Sequence, residues 1–150
     1  MIEERTGDLF AQPDLTALAH GCNCAGAMGA GIAVEFKRRH PAMYAAYKTL
    51  CAEKKFRPGD VFTWKAGPLT VFNLGTEEHW RKGATLDAIE QSVAAMAREA
   101  DQAGIAKVGI PRIGAGYGGL KWEDVRAVIE RATTGTNVTL VVVTLPRKST

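Results

Sequence analysis

Cysteine is scarce in this chain, and no apolar stretch is long. The three cysteines, Cys22, Cys24 and Cys51, are odd in number and lack the spacing of a disulfide framework, which points to a reducing compartment. Cys22-x-Cys24 lacks the two-residue spacer of a zinc pair, and no second pair follows, so no metal site is expected. No apolar run approaches the roughly 18 residues of a membrane span. The opening MIEERTGDLF contains no apolar core of a signal peptide. A cytoplasmic protein with no membrane partner is expected. Repeats, low-complexity tracts and linkers are also missing, so the 150 residues are expected to form one domain, 1–150. The net charge of +3 is too mild to demand nucleic acid as a partner, though it would not repel a polyanion. Nothing in the sequence calls for assembly, and a monomer is expected.

What the chain does have is alternation. Residues 2–4 read as a weak strand and residues 15–23 as a short buried one. Residues 32–39 are helical, and Pro41 disfavours helix at His40. A second helix is expected over 42–54. Residues 61–65 and 69–74 form a hairpin around Ala66-Gly67-Pro68. Thr85 suits the cap of a helix over 88–103 that Gly104 closes. A strand over 107–110, a helix over 122–133 and an apolar strand over 138–145 complete the order. That last strand is so uniformly apolar that both of its faces must be covered. The pattern predicts an α/β fold, three layers α/β/α with a mixed sheet.

Glycine is concentrated where this pattern turns from strand to helix. Four of the sixteen glycines fall within residues 114–119, and Gly26, Gly29 and Gly31 interrupt the earlier strand–helix junction. Both junctions belong at the carboxyl edge of the sheet, where ligands of such folds bind. Gly114-x-Gly116-x-x-Gly119 formally matches a dinucleotide fingerprint, but the next strand, NVTLVVVTLP, carries no acid for a ribose hydroxyl. The Lys-Ser/Thr of a phosphate-binding P-loop is absent too. What remains is a backbone site, two loops whose exposed N–H groups grip the two phosphates of one diphosphate. On this reading Gly116 needs a positive φ and open space, and a β-branched residue there should block the loop.

Three segments carry a family resemblance: GDLF at 7–10, CNCAGAMGAGIAVEFKRRHP at 22–41 and IPRIGAGYGGLKWEDV at 110–125. In this order, and spanning almost the whole chain, they resemble a macrodomain. Within that family they are most similar to the branch of terminal ADP-ribose protein glycohydrolases and of antitoxin enzymes that remove ADP-ribose from DNA thymidine. The resemblance implies ADP-ribose as ligand, ADP-ribosylated protein or DNA as partner, and no cofactor. It assigns Asp8 to the adenine amino group and Asn23 to the distal ribose. Met28, Gly29, Gly31 and Ile32 would form the first phosphate loop. Gly114, Ala115, Gly116, Tyr117 and Gly118 would form the second. Leu9, Cys22, Pro111 and Ile113 complete the ligand set. Plainer roles stand beside these: Asp8 as a turn cap, Asn23 as a strand-end cap, Met28 and Ile32 as core, Trp122 as packing.

The sequence departs from the relatives at two points. Where they carry a lysine that works at the anomeric carbon, this chain has Glu77. Where the protein-directed relatives carry an aspartate after the second loop, it has Gly118. A carboxylate near an oxocarbenium-like carbon can stabilise charge or activate water. Glu77 or Glu78 could do so, with His79 as proton shuttle, or both acids could simply line a solvated turn before a helix. A water held between the bent diphosphate and the ribose, positioned by Asn23 and the loops, is a second route that needs no lysine. Asn23, Glu77 and His79 are therefore the candidate catalytic residues. Trp80 and Arg81 could stack on a base and meet a phosphate, or Trp80 could pack over the hairpin. A non-catalytic ADP-ribose reader and an O-acetyl-ADP-ribose deacetylase are the alternatives to a hydrolase.

Overall fold

The computed structural model describes residues 1–146, so residues 147–150 of the expected domain lie outside the description. Its elements, in order, are β1 (Ile2–Thr6), β2 (Ala17–Asn23), α1 (Ile32–Arg39), α2 (Pro41–Ala52), β3 (Val61–Ala66), β4 (Leu69–Glu77), α3 (Leu86–Gln102), β5 (Lys107–Ile110), α4 (Trp122–Ala132) and β6 (Thr139–Thr144). A single 3-10 turn, Leu9–Ala11, follows β1.

The strands form one six-stranded sheet in the order β1-β6-β5-β2-β4-β3. Every neighbouring pair is parallel except β3 with β4, the antiparallel hairpin. Strand β6 therefore has neighbours on both sides. Its residues also divide between the two faces: Leu140 and Val142 join one apolar cluster, Val141 and Val143 the other. That division is why its sequence shows no polar alternation.

The two clusters define the layers. On one face, Ala17, Ala19, Phe72, Leu74, Val108 and Ile110 of the sheet meet Ile89, Val93 and Met96 of α3 and Val125 and Ile129 of α4. On the other, Leu18, Cys22 and Val71 meet Phe36 of α1 and Met43 and Tyr47 of α2. This is the expected three-layer α/β/α architecture with a mixed sheet. Helix α3 starts at the cap read from the sequence, the Thr85 hydroxyl accepting from Ala88 N–H at 3.1 Å. Helix α2 ends two residues earlier than expected, and Lys54 beyond it takes a left-handed φ of 57°.

One polar pair is sealed inside the α1–α2 layer. Asn73 donates to Phe62 O at 3.0 Å, which turns its Oδ1 toward His20 Nε2, 2.7 Å away. The His20 ring stacks on Phe36 with centroids 4.0 Å apart. Both His20 and Asn73 are fully buried, and burial pushes the imidazole down to about 4, so it is neutral and Nε2 carries the proton.

Candidate functional site

A cleft of about 570 Å³ opens at the carboxyl ends of β2, β4 and β5, a volume suited to a nucleotide-sized ligand. Two strand-to-helix loops form its walls. The first follows β2. There Asn23 Oδ1 accepts from Ala25 N–H at 3.1 Å and Ala27 N–H at 3.2 Å, while its Nδ2 donates to Ala27 O at 2.8 Å. The Tyr47 hydroxyl, from α2, donates to Asn23 O at 2.6 Å and lies 2.9 Å from Asn23 Oδ1. Asn23 thus acts as the cap of its strand end, and its Nδ2 makes this one hydrogen bond among the described residues. The loop then runs into α1 through Gly31, whose φ of 60° turns the chain, with no side-chain cap. The N–H groups of Gly29, Ala30, Gly31, Ile32 and Ala33 have no partner among the described residues. They sit at a helix start, where unpaired donors and the helix dipole favour an anion.

The second loop follows β5. Gly114 adopts φ 74°, and a Cβ on Gly118 would lie 2.6 Å from Gly114 O, so this turn tolerates glycine only at 118. The N–H groups of Gly116, Tyr117 and Gly118 have no partner among the described residues. Gly116 itself has no positive φ, and a Cβ there would meet nothing within 4 Å. The expectation that Gly116 needs special dihedrals is therefore corrected: the strained positions are Gly114 and Gly119, and Gly116 only leaves room. The two loops face each other across the opening. A Cβ on Gly31 would touch the Tyr117 ring at 3.4 Å, and Tyr117 is 82% exposed.

The floor and rim come from β4 and the segment after it. The β2–β4 register slips by one residue, Cys22 opposite Gly75 but Asn23 opposite Glu77, so Thr76 is an extra, bulged residue. Such bulges re-aim side chains beside active sites. Here the result is that Glu77 borders the cleft next to Asn23. Its Oε2 is buried and has no hydrogen-bond partner among the described residues, and burial raises its carboxyl above the usual range. Glu78 instead points to solvent and pairs with Lys82 at 2.9 Å. Residues 77–84 form a loop closed at its base, with Thr85 N–H donating to Thr76 O at 3.2 Å and Ala84 N–H to Gly118 O at 3.1 Å. Trp80 stands at its tip, lining the cleft and 50% exposed.

Of the residues named from the sequence, the cleft brings together Cys22, Asn23, Gly29, Gly31, Ile32, Glu77, Trp80, Pro111, Ile113, Gly114, Gly116, Tyr117 and Gly118. It does not include Ala115, or Met28, which is core. His79 accepts from Arg81 N–H at 3.1 Å and its ring lies tilted against Trp80, centroids 3.7 Å apart; neither His79 nor Arg81 lines the cleft. Cys22 turns its thiol into the core, 3.5 Å from His20 Nε2, where burial raises it and keeps it unreactive. Asp8 and Leu9 follow β1, two strands beyond β5 on the same edge of the parallel set. Asp8 caps the 3-10 turn through Phe10 N–H at 2.9 Å, and Leu9 is buried. Three contributors were not singled out in the sequence: Tyr47, which fixes Asn23; the bulged Thr76; and Arg112, a cation at the cleft whose guanidinium lies 5.3 Å from the Trp122 ring. No group of three or more His, Cys, Asp or Glu able to hold a metal occurs among the described residues, and none of their helices is long and apolar enough to cross a membrane.

Comparison with known proteins agrees with this geometry. The Macro domain family model matches residues 19–129. A DNA ADP-ribosyl glycohydrolase of Mycobacterium tuberculosis is 39% identical over 129 residues, which cover 83% of this chain but 36% of that protein. This chain therefore spans about a third of the length of that relative. The human ADP-ribose glycohydrolase OARD1 is 33% identical over 139 residues, 93% of this chain and 88% of that one. The solved macrodomain of Mycobacterium tuberculosis DarG superposes with a TM-score of 0.86 at 35% identity, covering 99% of both chains.

Proposed function

This chain belongs to the macrodomain family, and we propose that it hydrolyses the bond between ADP-ribose and the DNA base that carries it. The carrying observation is the unpartnered, buried Oε2 of Glu77 at the cleft, beside Asn23. A buried carboxyl with no internal partner costs stability, and a ligand group that hydrogen-bonds it recovers that cost.

In this reading the facing N–H groups of Gly29 to Ala33 and of Gly116 to Gly118 hold the diphosphate, with Arg112 adding charge. The distal ribose lies over Asn23 and Glu77. Because burial keeps the Glu77 carboxyl protonated to higher pH than usual, it serves first as an acid. The bond from the anomeric carbon to the base breaks, its electron pair leaves with the base, and Glu77 gives the base its proton. Water then bonds to the oxocarbenium-like carbon and returns a proton to the Glu77 carboxylate, which restores the acid. The loop amides hold the ribose in line for this attack, which converts binding into rate.

DNA rather than an acidic protein side chain is favoured by the exposed Trp80 on the cleft rim, a face on which a base can stack. It is also the carrier in the name of the mycobacterial relative. The test is release of ADP-ribose from a modified thymidine oligonucleotide and, separately, from a protein modified on glutamate. Release from the oligonucleotide, lost in Glu77→Gln while ADP-ribose still binds, is expected. Release from neither, with ADP-ribose bound, would establish the second reading, a binding module. That reading draws on Glu77 standing where the family's lysine belongs.

A further inference from the structure

Charge divides between the two helical layers. Residues 32–60, which hold α1 and α2, carry seven Lys and Arg against three acids. Helices α3 and α4 carry the reverse, seven acids against three Arg. The modest net charge of the chain conceals two oppositely charged faces.

On the basic face the few acids are already engaged. Glu35 pairs with Arg38 and Arg39, Glu53 pairs with Lys55, and Asp60 accepts from the Arg57 backbone N–H at 2.8 Å. Lys37, Lys48, Lys54 and Arg57 are exposed and form no ion pair among the described residues. Two of them converge on one aromatic ring: the Lys37 Nζ lies 4.4 Å and the Lys48 Nζ 5.7 Å from the Tyr44 centroid. Tyr44 in turn donates to Gly26 O at 3.3 Å, in the loop that walls the cleft. Lys37 and Lys48 thus flank a ring that is itself tied to the loop walling the cleft, and Lys54 and Arg57 follow just beyond α2.

We propose that the α1–α2 face docks the sugar–phosphate backbone of single-stranded DNA, holding the strand that flanks the modified nucleotide while the cleft holds its ADP-ribose. The inference rests on the reading that DNA carries the modification. A track of unpaired cations around an aromatic ring is the chemistry of sequence-tolerant binding to a single strand. The exposed Trp80 at the cleft mouth gives the same strand a stacking partner at the point of entry.

The experiment measures binding of a short unmodified single-stranded oligonucleotide across roughly 50 to 200 mM salt, with free ADP-ribose binding as the fold control. The affinity should fall with salt. Lys37→Gln with Lys48→Gln should flatten the log–log slope by about 1.4, from about 0.7 for each phosphate contact on a single strand. ADP-ribose affinity should not change. Arg98→Gln with Lys121→Gln, on the α3–α4 side, should leave the slope alone. An unchanged slope in the Lys37/Lys48 pair or an equal loss in the Arg98/Lys121 pair would overturn the docking face. Oligonucleotide binding of the expected kind without ADP-ribose release would sustain it and refute the hydrolase reading. Release without such binding would do the converse.

Discussion

The buried His20–Asn73 pair should make the fold acid-sensitive in a defined window. In the unfolded chain His20 takes a proton near its ordinary 6.5, whereas in the folded chain burial pushes it down to about 4. Between those values the unfolded state binds the extra proton, so stability is full above about pH 6.5 and declines as pH falls toward 4. At about 1.4 kcal/mol for each tenfold in proton affinity, the loss attributable to His20 is roughly 3 kcal/mol, a large share of a typical domain's stability. His40, also lowered by burial, acts in the same direction, and Glu77, raised by burial, acts in the opposite one. The surface carboxylates Asp14 and Glu35, held down to about 2 by their arginine partners, act mainly below this window. Comparison with His20→Gln isolates the histidine, since glutamine can donate to Asn73 Oδ1 but does not titrate there. Urea unfolding of both proteins from pH 7.5 to 4 should show their stability difference shrinking by roughly 3 kcal/mol. A difference that stays flat over that range would refute a neutral, sealed imidazole.

Tyr47→Phe should cost about 1 to 3 kcal/mol by removing the hydroxyl that holds Asn23 O, and should weaken ADP-ribose binding, read by urea unfolding and calorimetry. Glu77→Gln should lower the rate of release by about 10²- to 10⁴-fold with ADP-ribose affinity nearly unchanged, measured by single-turnover kinetics. Free ADP-ribose at about 100 times its Kd should stabilise the fold by roughly 2.7 kcal/mol, visible as a raised Tm. Gly118→Ala should destabilise, because its Cβ would press on Gly114 O, whereas Gly116→Val should leave Tm nearly unchanged and weaken only the ligand, by occupying open space at the cleft.

The layers and element order could be read from the sequence because periodicity and chain breaks report them directly. The two-faced apolar run of β6 and the Thr85 cap are examples. The two glycine loops were equally visible, since their need for room is written in composition. The bulge was not. A one-residue slip between Asn23 and Glu77 depends on the pairing of residues far apart in the chain, and no local pattern encodes it. That slip separates Glu77, at the cleft, from Glu78, in solvent, which adjacent identical letters could not distinguish. Tyr47 was hidden for a related reason: in α2 it reads as one more apolar-face residue, and its hydroxyl finds Asn23 only through tertiary packing. Gly116 shows the opposite error, a glycine credited with a conformation that belongs to its neighbours.

The excursion between Thr76 and Thr85 is pinned at its neck by one main-chain bond and against the second glycine loop by another. Neither bond uses a side chain of residues 78–82, so its tip should be exchangeable like a cartridge. Exchanging residues 78–82 for the equivalent stretch of another family member should redirect the choice of acceptor while leaving the melting temperature and the grip on free ADP-ribose where they were.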